Sequence, residues 1–80
     1  MFCTYVLISQ KDSNFYIGYT SNLELRLEQH KNGLVKSTKH RRPFELFLHE
    51  EFRTKTEAIK REKFFKTGKG REYLRLNYNN

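Results

Sequence analysis

What this 80-residue chain lacks narrows its possibilities early: it has no tryptophan, a single cysteine and a single proline. A lone Cys3 cannot close an intramolecular disulfide. No disulfide framework is therefore expected, and Cys3 reads as a small buried apolar residue of an intracellular protein. No stretch approaches the ~20 apolar residues that a membrane-spanning helix needs. The N-terminus carries no basic segment followed by a long apolar run, so no signal peptide is expected either. These absences point to a cytoplasmic chain with no membrane partner. Acidic residues are also scarce, nine against sixteen Lys and Arg, giving a formal charge of +7. On so small a surface that excess favours a polyanion, nucleic acid first, although many small basic proteins are simply well solvated. Only 36% of the residues are hydrophobic, and seven Phe and five Tyr provide much of that share. The core must be compact and aromatic, in a chain near the lower size limit for folding around a single core.

The pattern of what is present predicts ββαβαα, one α+β domain over residues 1–80. A small three-stranded antiparallel sheet would pack with two main helices and a short C-terminal helix. Phe2 to Ser9 and Phe15 to Thr20 are β-branched and aromatic runs separated by the polar turn Lys11-Asp12-Ser13-Asn14, so they form a hairpin. Gly18 inside the second strand marks a bulge or a close approach. Ser21 with Glu24 matches a capping box and starts a helix at Asn22. Leu23, Leu27 and Leu34 form its apolar stripe, and Gly33 its stop. Residues 35–43 form a basic loop that Pro43 closes in an extended conformation. Phe44 to Phe52 is a third strand. Thr54 with Glu57 caps a second helix running to about Thr67. Gly68-Lys69-Gly70 breaks it, Arg71 to Leu76 is a short third helix, and Asn77 to Asn80 should fray.

Several residues fit folding needs poorly. Tyr5, Tyr16 and Tyr19 put polar-tipped rings on strands, although aromatics also suit a half-buried pleated surface. Arg26 and His30, four apart, share one side of the first helix at the border of its buried stripe. Taken alone they read as a snorkelling arginine and a solvated histidine. Glu62 follows Ala58 by four and Ile59 by three and precedes Phe65 by three, on the apolar side of the second helix. A carboxylate there must be paired, with Arg26 as one candidate, or bound to a metal.

In combination, Thr4-Tyr5-Val6, Tyr16-Ile17-Gly18, Tyr19, Arg26-x-x-x-His30 and Glu57-Ala58-Ile59-x-x-Glu62 resemble the GIY-YIG nuclease superfamily over Tyr5 to Lys66. The chain looks most like its small stand-alone members and is similar to the catalytic domain of the excision-repair endonuclease subunit. The resemblance implies a metal-dependent endonuclease that hydrolyses DNA phosphodiester bonds without a covalent intermediate, with roles in DNA repair or processing. Glu62 would hold one Mg²⁺ or Mn²⁺, and Arg26 would fork onto the phosphate. Tyr5 or Tyr16 would deprotonate the attacking water, with Tyr19 and His30 assisting by hydrogen bonds. One carboxylate can suffice, because Mg²⁺ keeps several waters and takes further ligands from substrate phosphate. A tyrosine with pKa ~10 is a poor base near neutrality unless its surroundings help. Two departures stand out. Cys3 and Thr4 replace the glycine and isoleucine of the first motif, and no residue clearly matches a late asparagine of several active relatives, Asn77 and Asn79 lying far into the tail.

Lys36, Lys39, His40, Arg41 and Arg42 in the basic loop, with Lys66, Lys69 and Arg71 further on, are candidates for phosphate-backbone contacts to DNA, RNA not excluded. The glycines around Lys69 could admit a phosphate, and Gly68 reads equally as a helix cap. No base-reading motif accompanies them, so low sequence specificity, structure selectivity, or a protein partner that supplies specificity is expected. The competing reading is a nucleic-acid-binding module that keeps the fold and does not cut.

Overall fold

The structure, a computed structural model, describes residues 1–78. Its strands fall where the patterning puts them: β1 (Phe2–Ser9), β2 (Phe15–Thr20) and β3 (Phe44–Phe52), in the antiparallel order β2-β1-β3. The helices are α1 (Leu23–Lys31), α2 (Lys55–Phe65) and α3 (Gly68–Tyr78), with a 3₁₀ turn at Lys39–Arg41 inside the basic loop.

Strand β1 is central and buried on both faces, from Cys3 through Ser9. Cys3, Tyr5 and Leu7 pack with Leu23, Leu27, Tyr16 and Phe44 on the α1 side. Val6 faces the other way, joining Ile17, Phe65 and Leu74 beneath α2 and α3. Full burial of side chains such as Phe65 and Leu74, both 0% exposed, is worth roughly 1.5–3 kcal/mol each. The Thr4 hydroxyl, also buried, donates to the Ala58 carbonyl at 2.7 Å and ties β1 to α2. Across β1 and β3 the register shifts between Val6 and Leu7, which pair with Leu48 and Leu46. Phe47 is therefore the extra residue of a bulge, and it packs with Phe15 in the α2-side core. Arg61 of α2 adds a two-point contact to Glu50 of β3 at 2.7 and 3.2 Å and lies over the rings of Phe64, Phe65 and Tyr73.

Several expectations about the helices need correction. Asn22, not Ser21, caps α1: its side chain accepts from the Leu25 backbone N–H, and the Thr20 hydroxyl accepts from Asn22 N–H. Both residue types cap well, and the neighbouring Thr20 supports the later position. The chain leaves α1 at Gly33 as expected (φ 74°), but Leu34 is 73% exposed. The inward stripe is Leu23, Leu27 and His30. The capping box of α2 forms as predicted, Thr54 and Glu57 each bonding the other's backbone. Gly68-Lys69-Gly70 does not lie between helices but forms the first turn of an eleven-residue α3. The Thr67 hydroxyl accepts from Gly70 N–H at 3.1 Å, which starts the new helix at once. Gly70 itself is buried, and a Cβ there would overlap the Phe64 carbonyl and approach Phe65 Cα to 2.6 Å. It sets the contact of α3 with α2 and is not a phosphate cradle. Asn77 belongs to α3, its side chain donating to the Tyr73 carbonyl. Of the tail expected to fray, Asn79 and Asn80 lie outside the described residues. The Arg42–Pro43 peptide is cis, with Arg42 itself extended.

Candidate active site

An open cleft of about 430 Å³ wraps the β2 edge of the sheet. Tyr5, Tyr16, Tyr19, Arg26 and Glu62 all line it. Pairing of Tyr5 with Gly18, Leu7 with Tyr16 and Thr4 with Tyr19 puts Tyr16 and Gly18 on the α1 face of β2 and Tyr19 on the opposite face. The cleft joins both faces because β2 has no outer neighbour. Helix α1 then supplies Arg26 from one side and α2 supplies Glu62 from the other. Gly18 marks a close approach, not a bulge: a Cβ there would lie 2.6 Å from the Tyr5 hydroxyl oxygen.

That hydroxyl is the hub of a chain of hydrogen bonds. Arg26 Nε–H donates to it at 3.4 Å, and the hydroxyl lies 2.9 Å from His30 Nε2. Arginine has no acceptor, so Tyr5 accepts from Arg26 and its own proton points at His30. On the far side of the ring His30 Nδ1 lies 2.8 Å from Thr38 Oγ1, whose proton goes to the Val35 carbonyl at 3.3 Å. That direction makes Nδ1 the protonated nitrogen and leaves Nε2 as acceptor for Tyr5. His30 is 1% exposed, and burial, reinforced by the charge of Arg26, holds its pKa down to about 4. Near neutrality it is an uncharged imidazole. Burial pushes the Tyr5 phenol above its ordinary value, against the opposing hydrogen bond and charge of Arg26.

His30 thus stands behind Tyr5, with the rings of Tyr16 and Phe44 also against it, and does not line the cleft. Arg26 is fixed a second time by Gln29, whose side-chain oxygen accepts from Nη1 at 3.0 Å. Tyr16 receives a long hydrogen bond from Ser37 at 3.5 Å. Gln29, Ser37 and Thr38 were not singled out from the sequence. Gln29, one turn beyond Arg26, had a readable spacing; Ser37 and Thr38 had no signal, because they sit in a loop without periodicity.

The side chain of Glu62 is 16% exposed, and its carboxylate meets Lys66 Nζ at 3.4 Å, one turn along α2. The alternative pairing with Arg26 is not made, Arg26 being engaged by Tyr5 and Gln29. Among the described residues no three His, Cys, Asp or Glu side chains cluster as a metal cage. Glu62 is a hard oxygen donor at the cleft wall, held by one long contact to a half-exposed lysine. It suits Mg²⁺ or Mn²⁺, which bind through one carboxylate, waters and substrate phosphate.

The basic residues divide. Lys36, Lys39, His40, Lys69 and Arg71 are exposed, with no side-chain partner among the described residues. Arg41 is held inside the fold, donating to both Asp12 oxygens at 2.9 and 3.4 Å and to the carbonyls of Asn14 and Phe15. The Arg41 hydrogen bond, followed by one from Asn14 N–H, draws the Asp12 carboxyl down to about 2. Arg42 donates to the carbonyls of Lys39 and Lys31, closing the loop against the end of α1. Lys66 is taken by Glu62.

The site is thus a tyrosine, arginine and glutamate cleft at one edge of a three-stranded sheet that carries helices on both faces. A family model described as GIY-YIG catalytic domain matches residues 1–77, and the chain belongs to that nuclease family. It is 42% identical over 71 residues to a UPF0213 protein of Staphylococcus saprophyticus, covering 88% of this chain and 87% of that one. A UPF0213 protein of Bacillus pumilus is 49% identical over 57 residues, covering 70% of this chain and 58% of the relative. The solution structure of a UPF0213 protein from Bacillus halodurans superimposes with a TM-score of 0.56 at 33% identity, over 92% of this chain and 82% of the other. No helix among the described residues is long and apolar enough to cross a membrane.

Proposed function

We propose that this chain is a Mg²⁺- or Mn²⁺-dependent endonuclease that hydrolyses DNA phosphodiester bonds with little sequence specificity. The observation that carries the reading is the convergence of Tyr5, Tyr16, Tyr19, Arg26 and Glu62 on one cleft. A fold kept only for binding needs the basic rim and no such convergence.

Glu62 would hold the ion, which polarises a phosphodiester and stabilises a leaving oxygen when bound. Arg26 orients the scissile phosphate. Two of its N–H groups are fixed by Tyr5 and Gln29, which presents the rest of the planar fork without further ordering cost. Tyr5 acts as base in preference to Tyr16, because the Tyr5 hydroxyl has a proton acceptor directly behind it. As Tyr5 Oη takes a proton from water, its own passes to His30 Nε2, and Thr38 keeps the imidazole in the tautomer that can receive it. The low basicity of His30 comes second from the charge of Arg26; a phosphate beside Arg26 offsets that charge. Tyr16 and Tyr19 hydrogen-bond water or phosphate at the mouth of the cleft.

The test is nicking of supercoiled and branched DNA with Mg²⁺ or Mn²⁺, comparing the wild type with Glu62→Ala. The variant should bind DNA and lose cutting by at least about a hundredfold, in the range of removing a principal electrostatic group. Cutting that persists in the variant removes Glu62 from the site. A wild type that binds and never cuts, whatever the metal, leaves a binding module.

A further inference from the structure

A second concavity, of about 720 Å³, opens on the α1 side of the sheet toward β3. Helix α1 meets the start of β3 through His30 against Phe44, while Leu46, on the same face as its partner Leu7, remains 41% exposed. Leu7, Leu27, Phe44 and Leu46 form an apolar floor. Around it stand the cations Lys11, Lys31, Lys39 and Arg42 together with His40, and among the described residues no carboxylate lines the groove. These cations are steered by the fold without being neutralised. Lys11 Nζ donates to the His40 carbonyl at 3.1 Å, and among the described residues Arg42 donates only to the carbonyls of Lys39 and Lys31. The side chains of Lys31 and Lys39 have no partner among the described residues.

From this arrangement we propose that the groove docks a short acidic peptide segment of a partner protein, one carrying a pair of apolar side chains between carboxylates. The apolar pair would sit on the leucine floor and the carboxylates would meet the fixed cations. The volume lies within the range of pockets that enclose a compact ligand. The floor favours a peptide over nucleic acid. Single-stranded nucleic acid uses open aromatic faces for base stacking and a charged track for its backbone. Here the floor is mostly leucine, and the one ring, Phe44, already packs against Tyr16, His30 and the Arg41 guanidinium. A second copy of this chain is a poor occupant, since each copy carries +7. The inference deepens the proposed function by giving the specificity partner a chemistry and a location, and its test reads binding independently of cutting.

The full chain is titrated, without divalent metal, into a fluorescein-labelled peptide of Asp residues flanking Leu-Phe, followed by anisotropy. Controls are the same peptide with Ser for Leu and Phe, and a labelled oligonucleotide. Binding to the Leu-Phe peptide should weaken at least about tenfold in Leu46→Glu and in Lys31→Glu, as expected for loss of a central anchor or of a desolvated charge contact. Both side chains are exposed and lie outside the cleft, so circular dichroism and cutting of naked DNA should be unchanged. Equal binding of the Ser peptide, or none of either, overturns the proposal. So does an oligonucleotide that displaces the peptide and loses affinity equally in Leu46→Glu, which would make the groove a nucleic-acid surface. Peptide binding in a protein that cuts nothing would refute the nuclease reading and leave this one standing.

Discussion

Lowering the pH should destabilise this protein through one residue. In the fold His30 has a pKa of about 4 against an ordinary value of 6.5. A folded value below the unfolded one means that the contribution is fully present above about pH 6.5 and is lost as the pH falls toward about 4. At the far end of that window the loss approaches about 3 kcal/mol, and between about pH 7 and about pH 5 it comes to about 2 kcal/mol. For a chain of this size that is a large part of the total stability. The cause is physical: an imidazolium would lie buried beside Arg26, and Nε2, turned into a donor, would lose its bond from the Tyr5 hydroxyl. Asp12, drawn down to about 2, loses its contribution only as the pH falls below the ordinary carboxylate range, outside this window. Cys3, Tyr5 and Arg61 have values shifted upward and titrate above it. Urea denaturation at several pH values, on wild type and His30→Gln, measures the effect. Glutamine can accept from Tyr5 and donate to Thr38 but does not titrate, so the loss between about pH 7 and about pH 5 should vanish in the variant, whatever its stability near neutrality. A slope as steep in His30→Gln as in wild type would refute the reasoning.

Three other perturbations test the cleft and its surroundings. Tyr5→Phe strips a partner from His30 Nε2 and from Arg26 Nε at once; it should cost about 1–3 kcal/mol in urea melts and greatly reduce cutting, and normal cutting would remove Tyr5 from the chemistry. Gly18→Ala sets a methyl 2.6 Å from the Tyr5 hydroxyl oxygen; because the ring is 1% exposed and cannot swing out, about 1–3 kcal/mol of stability should be lost together with activity, whereas a fully active, equally stable variant would show that Tyr5 is not confined there. Arg41→Ala should lower the melting temperature by freeing the β1–β2 turn, while Lys36→Ala should weaken DNA binding at constant melting temperature; the opposite assignment in thermal melts and anisotropy would place Arg41 on the DNA and Lys36 in the fold.

The strands were legible to the residue because apolar runs bounded by polar turns leave few alternatives for register when one strand is buried on both faces. The α2 cap was equally plain, since Thr54 and Glu57 form a reciprocal pair. Two local signals misled. Ser21 and Asn22 are both good caps, and the choice depended on Thr20, a strand residue. The glycines at 68 and 70 spell a break by propensity, each costing about 1 kcal/mol in a helix, yet Thr67 caps a helix there, and the lack of a side chain at Gly70 is what lets α3 touch the α2 backbone. At the cleft, types and spacing brought Tyr5, Tyr16, Tyr19, Arg26 and Glu62 to notice. They did not reveal that Arg41 and Arg42 are tied to backbone carbonyls of the fold. Such partners come from loops, where charge is visible in a sequence and direction is not.

Placing the cleft on the β2 edge has a consequence for the rest of the molecule. An added strand at that edge would run along the opening where Gly18 lets the Tyr5 hydroxyl approach and would close it. Any macromolecule that leaves the cleft open must therefore approach elsewhere, and the apolar groove lies on the other flank of β1, beside β3. His30 connects the two places: it lines the groove, and through Nε2 it meets the hydroxyl that faces the cleft. The ring that backs the Tyr5 hydroxyl therefore also forms part of the groove wall, and the two concavities share one buried side chain.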